Sequence, residues 1–181
     1  MTKSKIKWKW IILVTIIFFI FSSLAFPQMT KYSNEMIGES NSPDESFIYS
    51  PSELYDMAES YGELGREAYI KIRWTFDLVW PICYALFLIS WIAKLSDYIS
   101  DKRRLRFAYI FPLASIIFDY MENIGATIVM ARYPLKSGII ATITPVISFV
   151  KWVSVAGSVL ILIILIISLI LAKFKRAKPE S

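Results

Sequence analysis

Four long apolar runs divide the chain, and polar or charged segments separate them. The first run, WIILVTIIFFIFSSLAF, extends from Trp10 to Phe26, and the later ones occupy residues 75–93, 107–131 and 152–172. Each run approaches the roughly 20 apolar residues that an α-helix needs to cross a bilayer. The pattern therefore predicts an all-α fold, a four-transmembrane-helix bundle.

The last run is part of a longer apolar stretch. Between residues 138 and 172 the only charged residue is Lys151. A single helix of that length would measure about 52 Å, against a hydrocarbon core of about 30 Å. The length therefore predicts a break, with a helix that starts at Thr144-Pro145 and a loop or short interfacial piece over residues 138–143.

The segment between the first two spans combines a polar stretch with a helix start. Residues 28–50 show no periodicity, which predicts a flexible extracytoplasmic tether. The motif SPSE at 50–53 is a capping box with Pro at the first helical position. We expect an amphipathic extracytoplasmic helix over residues 51–74, bent or broken near Gly62 and Gly65. Beyond that point it would continue without interruption into the second span.

The first apolar run has two interpretations. Four lysines precede it, and Ser23-Leu24-Ala25 resembles a signal-peptide cleavage site. The length of the run, and Pro27 shortly after the cleavage position, favour an uncleaved signal anchor. We therefore assign residues 1–27 to a basic cytoplasmic N-terminus and the first span.

The basic residues predict the orientation in the membrane. Residues 1–10 hold four Lys or Arg, the loop 94–106 holds five and the tail 173–181 holds four. By the positive-inside rule these three segments lie on the cytoplasmic side, whereas residues 28–75 carry nine acidic and four basic residues. This predicts a multi-pass protein of the cell (plasma) membrane with both termini cytoplasmic, in which residues 75–181 contain spans two to four.

Composition excludes several functions. With 56% hydrophobic residues and a mean hydropathy of +0.51, the chain lies outside the usual range for soluble domains. It has no His and only one Cys, which excludes His-based acid–base chemistry, His metal ligation and an internal disulfide. We expect no cofactor, no metal and no nucleic-acid partner. Membrane lipids, a second copy of the chain or another membrane protein are the expected partners.

Ionisable residues interrupt the apolar runs at helical spacing. A charge at the bilayer centre costs about 2.5–3.5 kcal/mol, so such residues need partners. Counting about 1.5 Å per residue along each helix places Arg73 and Lys151 within one side-chain length of the carboxylates of the third span. We therefore predict a buried polar network in the outer half of the bundle. Its members are Arg66, Tyr69, Arg73, Asp77, Tyr84, Asp119, Glu122, Asn123 and Lys151.

Two functions fit this network. It either fixes helix register or forms a site for a lipid or amphipathic ligand, in a protein that is not an enzyme. The alternative is a membrane-embedded enzyme acting on a lipid-like substrate. In that case Asp119 or Glu122 would be the general acid or base, and Arg73 or Arg66 would hold an anionic head group.

The spacing of these residues also resembles a known pattern. The series is G-x-x-G-R-x-x-Y at 62–69, D-x-x-x-P at 77–81, D-x-x-E-N at 119–123, Y-P at 133–134 and K-W at 151–152. It is similar to a pattern in uncharacterised small bacterial four-helix integral membrane proteins. The resemblance covers residues 62–152 and implies four spans with a shared polar constellation, but no catalytic role.

Overall fold

The computed structural model describes residues 6–38, 42–43, 46–98 and 104–177, and helices dominate this part of the chain. No strand occurs among these residues. The elements are α1 (Trp8–Ile37), α2 (Pro51–Ser60), α3 (Gly62–Arg73), α4 (Phe76–Ser96), a short 3-10 helix (Arg104–Tyr109), α5 (Ile110–Arg132) and α6 (Gly138–Ala177).

Four helical segments are long and apolar enough to cross a membrane. They are Trp8–Ile37, Gly62–Ser96, Phe107–Arg132 and Gly138–Phe174. The predicted all-α bundle of four membrane-spanning helices is therefore confirmed. In this bundle α5 and α6 pack along each other, α1 packs on α3 and α4, and α4 contacts all the other spans.

Helix α1 is longer than the sequence predicts. Residues 28–37 continue the helix, with Pro27 inside it, where a flexible tether was expected. Tertiary packing explains the difference, because α3 presents Gly65 to the end of α1. A Cβ at Gly65 would lie 3.2 Å from the carbonyl oxygen of Met36, so the missing side chain allows the two helices to touch. The tether prediction is thus wrong for residues 28–37, and residues 39–41 and 44–45 lie outside the described part of the chain.

The capping box at the start of α2 is present as predicted. The Glu53 N–H donates to Ser50 Oγ at 3.2 Å, and the Ser50 N–H donates to Glu53 Oε2 at 2.6 Å. The hydrogen bond from the Ser50 backbone N–H, followed by one from the Ser50 side chain, lowers the pKa of Glu53. Gly62, at φ +62°, makes the break between α2 and α3, whereas Gly65 lies within α3. The location of these helices relative to the membrane stays a prediction.

A second break separates α3 from α4, although continuity was expected there. The Thr75 hydroxyl donates to the Lys71 carbonyl at 2.6 Å, and the Thr75 N–H donates to the Ile72 carbonyl at 3.3 Å. The side chain thus takes the acceptor that the Thr75 N–H would use in a continuous helix. Helix α3 therefore ends at Arg73, and α4 begins at Phe76.

Helix α6 is a single helix of 40 residues that contains Pro145, so the predicted break is wrong. A break is required by length only if all of residues 138–172 lie in the hydrocarbon core of the bilayer. Instead, the first turns of α6 pack on α2 and α5, with Ala141 and Thr144 buried. One face of these turns is therefore covered by protein, and the helix continues through Pro145.

Candidate binding cavity

Aromatic side chains hold α1 against α4. The Phe18 ring stacks on Phe87, with ring centroids 4.5 Å apart, and on Trp80 at 5.7 Å. About one turn earlier in α1, the Trp91 indole N–H donates to Thr15 Oγ1 at 2.9 Å. Offset and edge contacts of this kind each add about 0.5–1.5 kcal/mol beyond burial. Helix α1 is therefore a fixed wall of the space beside it.

A cavity of about 490 Å³ lies between α1, α4 and α6. This volume is within the range of about 300–1,000 Å³ that is usual for small-molecule sites. Its walls are mainly aromatic and aliphatic, but they include two cationic and two anionic side chains. The lining residues are Phe18, Phe26, Met29, Thr30, Ser33, Asn34, Ser42, Arg73, Phe76, Asp77, Trp80, Tyr84, Phe87, Leu88, Asp119, Lys151, Trp152, Val155 and Val159.

Arg73 and Asp77 form the first ion pair on the wall. Arg73 Nη1 lies 2.6 Å from Asp77 Oδ2, across the break between α3 and α4, and both side chains are almost completely buried. The Arg73 guanidinium also lies over the Tyr69 ring, 4.7 Å from its centroid. Asp77 is in the first turn of α4, where the helix dipole favours a negative charge. The helix dipole of α4, the Tyr69 ring and the attraction between the two opposite charges together hold this pair in place.

Lys151 and Glu122 form the second ion pair, which joins α6 to α5. Glu122 is completely buried, and the Tyr49 hydroxyl donates to its Oε1 at 3.3 Å. Lys151 Nζ lies 5.2 Å from the centroid of the Trp152 ring. Lys151 lines the cavity, whereas Glu122 lies behind it. This pair therefore links the cavity wall to the packed interface between α5 and α6.

Asp119 is the carboxylate that α5 contributes to the wall. Tyr84 Oη donates to its Oδ2 at 3.4 Å, and Asn123 Nδ2 donates to its Oδ1 at 3.3 Å. Both donors are neutral and both lie within the bundle. Hydrogen bonds of this kind orient a carboxylate and compensate part of its desolvation.

The structure brings most of the predicted network together. Arg73 pairs with Asp77, four residues along the chain, and Lys151 pairs with Glu122. Arg66 lies apart from the cavity. Its Nη1 donates to the Ala58 carbonyl at 2.9 Å, which satisfies the C-terminal end of α2. Depth counting gave the levels of these residues correctly but could not give the rotation of each helix.

Several residues of the site were not predicted from the sequence. Tyr49 falls in the segment assigned to a tether, and α1 was considered only as an anchor. Trp152 also lines the cavity, and within the described part of the chain its buried indole N–H has no hydrogen-bond partner. The aromatic spacing along α4 was an available signal, because its rings recur at steps of three and four residues on one face. These rings are Phe76, Trp80, Tyr84, Phe87 and Trp91.

No family model, curated protein or solved structure matches this chain. Among the residues that the structure describes, no group of three or more His, Cys, Asp or Glu side chains could hold a metal ion. The chemistry of the site must therefore be read from its own geometry. That geometry is a mostly apolar volume with charges of both signs grouped on its wall.

Proposed function

We propose that this protein is a non-enzymatic integral membrane protein of the bacterial cell (plasma) membrane that binds an amphipathic, lipid-like ligand in the cavity. The observation that carries this proposal is the grouping of Arg73, Asp77, Asp119 and Lys151 on the wall of one otherwise apolar volume. Apolar walls suit a hydrocarbon tail, and convergent polar groups suit a head group.

A purely structural role accounts for only part of the network. The Lys151–Glu122 pair joins two helices and fixes their relative register. Arg73 and Asp77, however, lie only four residues apart on either side of the break between α3 and α4, and both line the cavity together with Asp119. Buried ionisable residues in a membrane are costly, and in known cases they mark ligand or ion sites. Helix register does not require the charges of Arg73, Asp77 and Asp119 on the cavity wall, but binding of a charged ligand does.

A membrane enzyme acting on a lipid-like substrate is the second candidate function. Of the two carboxylates considered as general acid or base, Asp119 lies on the cavity wall and Glu122 does not. Asp119 is therefore the group that would exchange a proton with a bound substrate, beside the Tyr84 hydroxyl at 3.4 Å. Arg66 is excluded from holding a head group in this cavity because it caps α2.

The test is the melting temperature of the purified protein in detergent, with and without a total lipid extract. A ligand that binds the folded state but not the unfolded state raises the melting temperature, and the rise grows with the ligand concentration relative to Kd. We expect a rise for the wild type and for Asp56→Asn, an exposed change on α2, and a smaller rise for Asp119→Asn. Absence of any rise in the wild type would contradict ligand binding. A full rise in Asp119→Asn, together with loss of lipid turnover, would favour the enzyme.

We also propose that both termini are cytoplasmic, so that α2 and α3 lie outside. The support is the concentration of Lys and Arg in residues 1–10, 94–106 and 173–181. In a Cys83→Ala background, a membrane-impermeant thiol reagent should label Ser60→Cys in intact cells and Ser181→Cys only after lysis. The opposite labelling would reverse the topology.

A further inference from the structure

A second cavity extends the first toward the other end of the bundle. It has a volume of about 240 Å³ and is lined by Thr15, Phe19, Phe87, Trp91, Leu162 and Ile166. Phe87 belongs to both cavities, and each is bounded by α1, α4 and α6. Within the described residues α1 and α6 hardly touch. The two cavities therefore lie along one groove between α1 and α6, with α4 as its floor.

We propose that this groove holds one acyl chain of a phospholipid whose head group carries both a phosphodiester and an ammonium group. The lipid enters sideways from the bilayer between α1 and α6. Its head lies beside Arg73, Asp77, Asp119 and Lys151, and its chain follows α4 past Phe87. This inference rests on the proposed ligand-binding function and names the ligand class.

The length and chemistry of the groove fit a long hydrocarbon tail. Along α6, Lys151 and Ile166 are 15 residues apart, which corresponds to about 22 Å. One leaflet contributes about 15 Å of the ~30 Å hydrocarbon core, so an acyl chain follows about two thirds of this distance, and the head group occupies the end near Lys151. Beyond the charged cluster the lining is largely apolar and aromatic. Each CH₂ group transferred from water to such a surface contributes about 0.8 kcal/mol, although transfer from lipid contributes less.

The charges on the wall select a head group of both signs. Arg73 and Lys151 offer cationic donors, and the planar guanidinium of Arg73 suits a phosphodiester. Asp77 and Asp119 offer carboxylates on the same wall, which suit an ammonium group. A head group of one sign would face two like charges in a site of low dielectric constant, which opposes its binding.

The indole N–H of Trp152, which has no hydrogen-bond partner among the described residues, adds a neutral donor on the same wall. A phosphate or ester carbonyl oxygen of the lipid is an acceptor of the right kind for it. A ligand that supplies this acceptor would satisfy a buried polar group, which otherwise costs about 1–3 kcal/mol.

The experiment uses the full chain, delipidated in detergent, and native mass spectrometry with three added lipids. These are phosphatidylethanolamine, phosphatidylglycerol and a single-chain alkyl amine, which are zwitterionic, anionic and cationic. The groove variant is Val159→Trp, because Val159 lines the first cavity at its lipid-facing rim. The matched control is Val153→Trp on the same helix, since Val153 is 43% exposed, Val159 is 41% exposed and only Val159 lines the groove.

We expect one phosphatidylethanolamine per chain in the wild type and in Val153→Trp, and loss of this bound lipid in Val159→Trp. Preferential binding of the anionic or cationic lipid, still lost in Val159→Trp, would overturn the head-group assignment and leave the cavity function intact. Equal retention by both Trp variants would show lipid bound outside the groove, and it would overturn the inference. Failure of every lipid to bind the wild type would overturn the proposed function itself.

Discussion

Helix α6 has two faces of opposite character, one closed against α5 and one open toward α1. On the closed face a Cβ at Gly125 of α5 would lie 2.2 Å from Thr144 Oγ1, so the Thr144 side chain packs directly against the bare backbone of Gly125. On the open face Trp152, Val155 and Val159 line a cavity of about 490 Å³. Small residues allow close helix packing in a membrane, whereas large side chains keep helices apart. The comparison shows how one helix can contribute both to stability and to a binding site.

The two faces meet at Lys151. This side chain lines the cavity, and its ammonium group pairs with Glu122 inside the α5–α6 interface. The aromatic contacts that fix α1 to α4 keep the opposite wall in place without closing the gap to α6. The Lys151–Glu122 pair therefore holds α6 in place, and the aromatic contacts hold α1 in place. The cavity between them lies between two fixed helices.

The largest expected effect is that of Lys151→Met, which removes the cation beside a completely buried carboxylate. We expect a loss of about 3–5 kcal/mol in the free energy of unfolding, because breaking a buried ion pair leaves a charge without its counter-charge. The double variant Lys151→Met/Glu122→Gln should recover most of this loss. The measurement is unfolding by denaturing detergent in mixed micelles.

Lys136→Met is the control for loss of a lysine, since Lys136 is exposed. It should change the free energy of unfolding by no more than about 0.5 kcal/mol. If Lys151→Met were as harmless as this control, the pair would not join the two faces of α6. If the double variant were no better than Lys151→Met, the loss would not come from the pairing of Lys151 with Glu122.

The next effect in size concerns the closed face alone. Gly125→Ala should destabilise the protein by about 1–3 kcal/mol, because the added carbon overlaps the stiff, β-branched side chain of Thr144. Thr144→Ala in the same chain should relieve most of the overlap. Gly138→Ala is the matched control, since no atom lies within 4 Å of its added carbon. Equal stability of Gly125→Ala and Gly138→Ala would mean that the α5–α6 interface can open at little cost.

A smaller effect is expected for Tyr49→Phe, which removes the hydroxyl that donates to Glu122. The loss of one hydrogen bond to a buried carboxylate should cost about 1–3 kcal/mol, and the 3.3 Å distance favours the lower end. Because Tyr49 lies behind the pair rather than on the cavity wall, the lipid-induced rise in melting temperature should be unchanged. Tyr98→Phe, at an exposed tyrosine, is the control. A reduced lipid response in Tyr49→Phe alone would extend the binding site to Tyr49.

Apolar run length was sufficient to predict the four spans, and charge spacing was sufficient to predict most members of the polar cluster. The open face of α6 could not be predicted in this way, because hydropathy treats a lipid-facing valine and a cavity-lining valine alike. The course of α1 beyond Phe26 depended on Gly65 of α3, and that of α6 through Pro145 depended on contacts with α2 and α5. These contacts join residues far apart in sequence. The ion pair between Arg73 and Asp77 spans the helix break at Thr75, and no Pro or Gly at that position indicates a break in the sequence.

The smallest effect on stability should come from the largest added side chain. Val159→Trp places an indole at the rim of the open face, where the described residues of α1 and α6 hardly touch, and we expect a change of no more than about 0.5 kcal/mol. Gly125→Ala adds a single carbon to the closed face and should cost more. The measurement is the free energy of unfolding of both variants in the same micelles. We expect the variant with the larger added side chain, Val159→Trp, to lose less stability than Gly125→Ala. A large loss of stability in Val159→Trp would show that the groove is closed in solution by contact between α1 and α6, so that the two faces of α6 would not differ.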